Sequence, residues 1–173
     1  MAVLNVRKYG DPMLRRRAEA VRDVTPEIRQ LAVDMIDTMY DEAGLGLAAP
    51  QIGVPLRLIV IGDERGRDPR ALLNPVITEQ GGEITAEEGC LSIPGIFAEV
   101  PRAEWVKIEA ADLDGRPVTI RARGLLARAY QHELDHLDGV LFIDRLDPAT
   151  RDRIKRRIKK EGLREAAHHA FAL

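Results

Sequence analysis

With one cysteine, Cys90, the 173-residue chain can form no internal disulfide, which fits a reducing compartment. No run of about 18 apolar residues occurs, so the sequence excludes a helical membrane span. The opening MAVLNVRKYGDP lacks both the apolar stretch of a secretory signal and the Arg/Ser-rich character of a transit peptide. The expectation is a cytoplasmic protein with no membrane and no DNA partner. No internal repeat or low-complexity segment is visible. The length suits one catalytic domain over residues 1–173, its last part (148–173) a basic helix.

Charge is small in total and uneven in place. Residues 151–173 carry eight Lys/Arg and three Asp/Glu, a balance of +5, inside a chain of net charge −2. A basic tail on an acidic body suits an anionic partner for that tail.

Thr25-Pro26-Glu27 predicts a helix start, with Thr as cap and Pro in the first turn. Apolar residues then recur at Ile28, Leu31, Ala32, Met35, Ile36 and Met39, and Gly44 should end the helix. Strand texture follows at Leu56–Ile61, Ala71–Ile77, Glu83–Glu87, Ile96–Val100, Glu104–Ala110 and Val118–Arg123, with a hairpin turn at Asp114-Gly115. Helical texture resumes from Gly124 to Gly139. Asp147-Pro148 starts a last charged helix of roughly 20 residues. The order is α+β without βαβ alternation: mainly antiparallel strands packed around a central helix, with an N-terminal helix and a C-terminal helix.

That central helix contains His132-Glu133-Leu134-Asp135-His136, the HExxH pattern of many zinc proteases. Four helical residues advance about 400°, so both imidazoles share one face and can reach one ion. Glu133, about 100° around, stands beside the ion as a general base. A catalytic site of this kind needs a third protein ligand. The extended HExxHxxGxxH pattern fails, because residue 142 is Phe. Glu161 or Glu165 downstream is one option and Cys90 upstream the sharper one. His168-His169 are read as surface residues.

Cys90 lies in Glu88-Gly89-Cys90-Leu91-Ser92, where glycine allows close backbone approach. Taken alone, a single cysteine is more often a small core residue. Gly44-Leu-Gly-Leu-Ala-Ala-Pro-Gln51 superficially matches a dinucleotide fingerprint, but it follows a helix and precedes a strand, the reverse of what that motif requires. It reads better as a backbone edge open to another chain, with Gln51 offering a hydrogen bond into a site.

Together, GLGLAAPQ at 44–51, EGCLS at 88–92 and HELDHLDG at 132–139 resemble the peptide deformylases, whose motifs are GxGxAAxQ, EGCxS and HExDHxxG in that order. The likeness extends through VPRAE at 100–104, DLDG at 112–115, GLLAR at 124–128 and GVLFID at 139–144. It implies removal of the formyl group from formyl-methionine of nascent peptides. The metal ligands it implies are Cys90, His132 and His136, for Fe2+ in the cell, with Zn2+, Ni2+ or Co2+ as alternatives. Glu133 becomes the base, and Gln51 with the Leu91 backbone N–H the oxyanion donors. Leu45, Gly46 and Gly89 would pair with the substrate backbone. Leu125 and Ala129, one and two turns before the histidines, would line the methionine pocket, with Arg128 beside them. Glu88, Arg102 and Asp135 are expected around the ligands, in a structural or catalytic role. For residues 151–160, ribosome docking competes with a plain solvated helix anchored by Ile154 and Ile158.

Overall fold

A computed structural model describes residues 2–63, 65, 68–163 and 173. Helix α1 (Pro26–Asp41) begins as its sequence dictates: the Thr25 side chain accepts a hydrogen bond from the Ile28 N–H, and Pro26 needs no amide partner. It stops three residues before Gly44, whose N–H closes the turn onto the Met39 carbonyl.

Seven strands follow: β1 (Gly46–Ala48), β2 (Leu58–Ile61), β3 (Arg70–Gly81), β4 (Ile84–Cys90), β5 (Ile93–Arg102), β6 (Trp105–Ala111) and β7 (Pro117–Arg123). Five form an antiparallel sheet in the order β1-β2-β3-β6-β7, while β4 and β5 pair as a separate hairpin. Helix α2 (Gly124–Leu137) leaves β7 directly, and α3 (Pro148–Glu161) ends the described helices.

The sheet is covered on both faces, which explains why all four residues of β2 are buried. Side chains alternate along a strand, so Leu58 and Val60 pack with Leu47, Leu73 and Met35 on the α1 side. Ile59 and Ile61 pack with Ala48, Leu72 and the α2 residues Ala127, Ala129 and Leu134. A third cluster joins Cys90, Ile93, Ile96 and Val100 of the hairpin to Phe142, Ile143 and Ile154. Helix α2 is thus wedged between the sheet and the hairpin. That position explains the burial of almost its whole second half, His132, Glu133 and His136 included.

One expectation needs correction. The last helix is 14 residues rather than roughly 20, because Gly162 takes φ 72°, a conformation that favours glycine and stops the helix. Residues 46–48, read as a backbone edge, form a short strand at the rim of the sheet, followed by a 3-10 turn over Ala49–Ile52. Glu165 and His168-His169 lie outside the described residues.

Candidate metal centre

The central pair forms because His132 and His136 are one turn apart on α2, their Nε2 atoms 3.2 Å from each other. Strand β4 delivers the third group: Cys90 Sγ lies 3.4 Å from His136 Nε2. One donor atom from each residue lies within 4.8 Å of the other two. A tetrahedral ion with bonds of about 2.0–2.3 Å would separate its ligand atoms by roughly 3.3–3.6 Å, close to the two measured spacings. Glu161, the downstream alternative, pairs instead with Arg157 on α3.

The chemistry of the donors fits a divalent transition metal. His132 Nδ1 is 3.0 Å from Glu88 Oε2, so its N–H donates there and Nε2 keeps its lone pair for the ion. Phe142 lies stacked beside the same ring, centroids 6.2 Å apart. Burial, and then the neighbouring His132, hold His136 well below the usual imidazole range, so it is a neutral donor. Burial and the charge of Glu133 push the Cys90 thiol up to about 12 in the metal-free chain. The thiolate a metal needs therefore has to be produced by the metal itself.

Glu88 is the hub beneath these ligands. Burial alone would raise its pKa, but hydrogen bonds from Arg102 and His132 outweigh that and hold the carboxyl far below the usual range. Arg102 grips it through Nε at 2.8 Å and Nη2 at 2.9 Å, and reaches Asp135 through Nη1 at 2.6 Å. Arg145 binds the other side of Asp135 at 2.7 Å. Removing one partner of a buried pair leaves the other charged and uncompensated, which costs about 3–5 kcal/mol. Arg102→Ala is therefore expected to destabilise the metal-free chain by that order in denaturant unfolding. A loss below about 1 kcal/mol would show that Arg128 and His132 alone hold Glu88.

Arg128 carries a signal the sequence did not expose. Rather than pointing freely toward substrate, its guanidinium donates to Glu88 Oε1 at 2.9 Å, to the Val100 carbonyl at 2.7 Å and to the Ile84 carbonyl at 2.7 Å. It ties α2 to both strands of the hairpin. Its side also lines, with Ile84, Ala86 and Leu125, a mainly apolar cavity of about 290 Å³.

Glu133 is fully buried, and neither carboxylate oxygen has a hydrogen-bond partner among the described residues. Burial, then the nearby Glu88 charge, raise its pKa well above the carboxylate range. Gly46 packs directly on it: a Cβ there would lie 2.8 Å from Glu133 Cγ and 2.9 Å from Ile61 Cδ1. Gln51 completes the constellation. Its Oε1 accepts from the Ala48 N–H at 2.9 Å, which turns the NH2 toward Ser92 Oγ at 3.1 Å and Cys90 Sγ at 3.8 Å. Ser92, visible in the EGCLS motif but given no role from sequence, is the acceptor that helps aim this amide.

A sequence model described as polypeptide deformylase matches residues 3–152. The chain belongs to the peptide deformylase family. It is 48% identical over 162 residues to the peptide deformylase of Alkalilimnicola ehrlichii, covering 92% of this chain and 91% of that one. Its fold is similar to the crystal structure of the Thermus thermophilus peptide deformylase, with a TM-score of 0.87 and 45% identity over 92% and 95% of the two chains. The Legionella pneumophila peptide deformylase is equally similar in fold, at a TM-score of 0.87 and 44% identity, with coverage of 92% and 95%. The Cys90, His132 and His136 cluster is the deformylase metal site that the three motifs implied.

Gly46 packs on Glu133, the Gln51 amide points toward Cys90 and Ser92, and Gly89 and Leu91 flank Cys90 in the chain. Gly46 and Gln51 come from the β1 rim and its following turn, Gly89 from the end of β4, Leu91 from the turn after it, and Leu125 and Ala129 from α2. One further neighbour was not anticipated. Leu173 N–H donates to the Gly89 carbonyl at 3.1 Å, and its own carbonyl oxygen accepts from the Leu91 N–H at 3.1 Å.

Proposed function

We propose that this deformylase acts as one catalytic domain over residues 1–173 in the cytoplasm. It removes the formyl group from formyl-methionine at the N-terminus of newly made polypeptides. The observation that carries the reading is a fully buried Glu133, without a hydrogen-bond partner among the described residues, beside the Cys90–His132–His136 cluster, with the Gln51 amide aimed at the same point. A metal ion bound there supplies Lewis-acid polarisation of the formyl group and a more acidic water. Ferrous iron is the proposed ion in the cell. A thiolate with two imidazoles also accepts Zn2+, Ni2+ or Co2+, so availability decides.

The chain's own residues do the rest. Glu133 accepts the proton of the attacking water and passes a proton to the departing amine, so that the C–N bond breaks to formate and a free N-terminus. The Gln51 NH2 and the Leu91 N–H donate to the developing oxyanion. The substrate backbone pairs with Leu45, Gly46 and Gly89, a strand addition that reads main chain and tolerates varied sequence. The methionine side chain enters the apolar space bordered by Leu125 and Ala129. Arg128 shapes the rim of that space while bracing Glu88, and Arg102 and Asp135 hold the same support.

The test is a formyl-Met tripeptide assayed beside its unformylated twin. Formate released from the first and no internal cleavage of the second is the expected result; peptide-bond cleavage of the twin would make the chain a general peptidase. In the same assay, Gln51→Ala is expected to lower kcat by about 10²–10³ with little change in KM, the usual cost of one lost oxyanion donor. An equal rise in KM alone would assign Gln51 to ground-state binding.

The basic helix extends the reading to a partner. Ile154 and Ile158 seat α3 on the hairpin cluster, leaving Arg153, Lys155, Arg156, Lys159 and Lys160 exposed. Residues 151–160 are proposed to dock on ribosomal RNA, where nascent chains emerge. Cosedimentation with ribosomes should then fall steeply between about 50 and 200 mM salt. Salt-independent or absent cosedimentation would return α3 to a solvated helix.

A further inference from the structure

Leu173 sits where an added strand would sit. It bonds to the residues on either side of Cys90, giving its N–H to the Gly89 carbonyl and taking the Leu91 N–H, both at 3.1 Å. It is only 1% exposed, and its side chain joins the apolar cluster that contains Ala48 and Ala129 and against which Leu45 packs. Main-chain pairing beside Cys90 is the recognition proposed above for the peptide backbone, and the Leu173 side chain belongs to the same apolar cluster as Ala129, which borders the proposed methionine space. Leucine and methionine are close in volume and apolar character.

We propose that Leu173 is an intramolecular occupant of the substrate groove, holding the place of the incoming strand and competing with it. The inference rests on the deformylase reading of this groove. The competition is direct rather than steric at a distance. The Leu91 N–H that Leu173 engages is one of the two donors assigned to the formyl oxygen, and the Gly89 carbonyl is assigned to the substrate backbone. The docked residue and a bound formyl peptide therefore exclude each other. Because Leu173 is covalently tethered to the site it fills, weak intrinsic pairing is sufficient. Placing occupant and site in one chain makes the pairing intramolecular and raises its effective concentration. A docked-to-free ratio of about ten would raise the apparent KM about tenfold and leave kcat unchanged, since a saturating substrate displaces the occupant. The device would spare the deformylase from idle exposure of its apolar groove and limit it to peptides present at high local concentration.

The test uses full-length chain in three forms: wild type, Leu173→Asp and Leu173→Met. An aspartate cannot enter the apolar cluster without a partner, whereas methionine preserves size and character. Leu173→Asp is expected to lower KM for a formyl-Met tripeptide about three- to tenfold at unchanged kcat, and Leu173→Met to keep the wild-type KM. Amide hydrogen exchange at Leu91 reads docking without turnover: slow in wild type and Leu173→Met, faster in Leu173→Asp. Equal KM and equal Leu91 exchange in wild type and Leu173→Asp would overturn the proposal. A KM that rises with enzyme concentration would overturn it as well, because the occupant would then come from a second molecule. If none of the three forms releases formate, the deformylase reading fails, while Leu91 exchange still decides whether Leu173 docks.

Discussion

Glu133→Gln is expected to lower kcat for formate release by on the order of 10²–10⁴ while leaving metal content unchanged. The substitution keeps the size of the side chain and leaves Cys90, His132 and His136 untouched, so only proton transfer is removed. A second measurement separates this from damage to the site. Burial raises the Glu133 pKa far above its unfolded value near 4.5, so the folded, metal-free chain binds more protons than the unfolded one as pH rises from there. Wild-type stability must therefore decline with rising pH, by up to about 1.4 kcal/mol per unit from this group. The glutamine variant, which has nothing to ionise, should lose that slope. Unfolding curves at pH 5 and pH 8 on metal-free protein check it. A variant with full activity would remove Glu133 from the chemistry, and an unchanged slope would mean that its carboxylate is solvated.

The reason one residue serves both tests is its position. Gly46 closes over Glu133 on the sheet side, and α2 itself is wedged between sheet and hairpin, so the carboxylate is buried. The same closure explains why the Glu88 hub needs two arginines. A carboxylate buried beneath a metal site stays ionised only where cations offset its desolvation, and Arg102 and Arg128 both donate to Glu88 Oε1.

How much of this could be read in advance depended on range along the chain. His132 and His136 were legible because helical periodicity alone places i and i+4 on one face, and the caps at Thr25 and Asp147 were legible because they act within three residues. The alternation of β2 was less legible, since a strand covered on both faces reads as a plain apolar run. Cys90 as third ligand emerged from the order of three motifs, not from its surroundings. Arg128 shows where local pattern runs out. Placed near the substrate by its helix face, it satisfies a carboxylate and two carbonyls from strands 28 to 44 residues away, pairings that only the packed hairpin creates. The length of α3 was overstated because helix-forming residues continue past Gly162, while the stop is set by one backbone angle.

Cys90→Ser is expected to reduce metal affinity by more than about 100-fold, since changing even a residue that only supports a ligand costs 10–100-fold. Formate release at limiting metal should fall in proportion. Serine keeps the shape of the site and should leave the metal-free chain folded, with thermal unfolding near that of wild type. The pH dependence identifies the thiol as the cause. With its pKa pushed up to about 12, Cys90 is protonated throughout the neutral range, and capture of an ion must displace that proton. Wild-type apparent affinity should therefore rise about tenfold per pH unit between about pH 6 and 9, so acid favours the metal-free form. His136, already neutral through burial and its neighbour His132, contributes no such step. Calorimetric titration with Zn2+ in buffers of different ionisation enthalpy should report at least one proton released per ion. In Cys90→Ser that proton should vanish together with the affinity. A wild-type affinity independent of pH would mean that Cys90 is not a ligand, and the two histidines would need another partner.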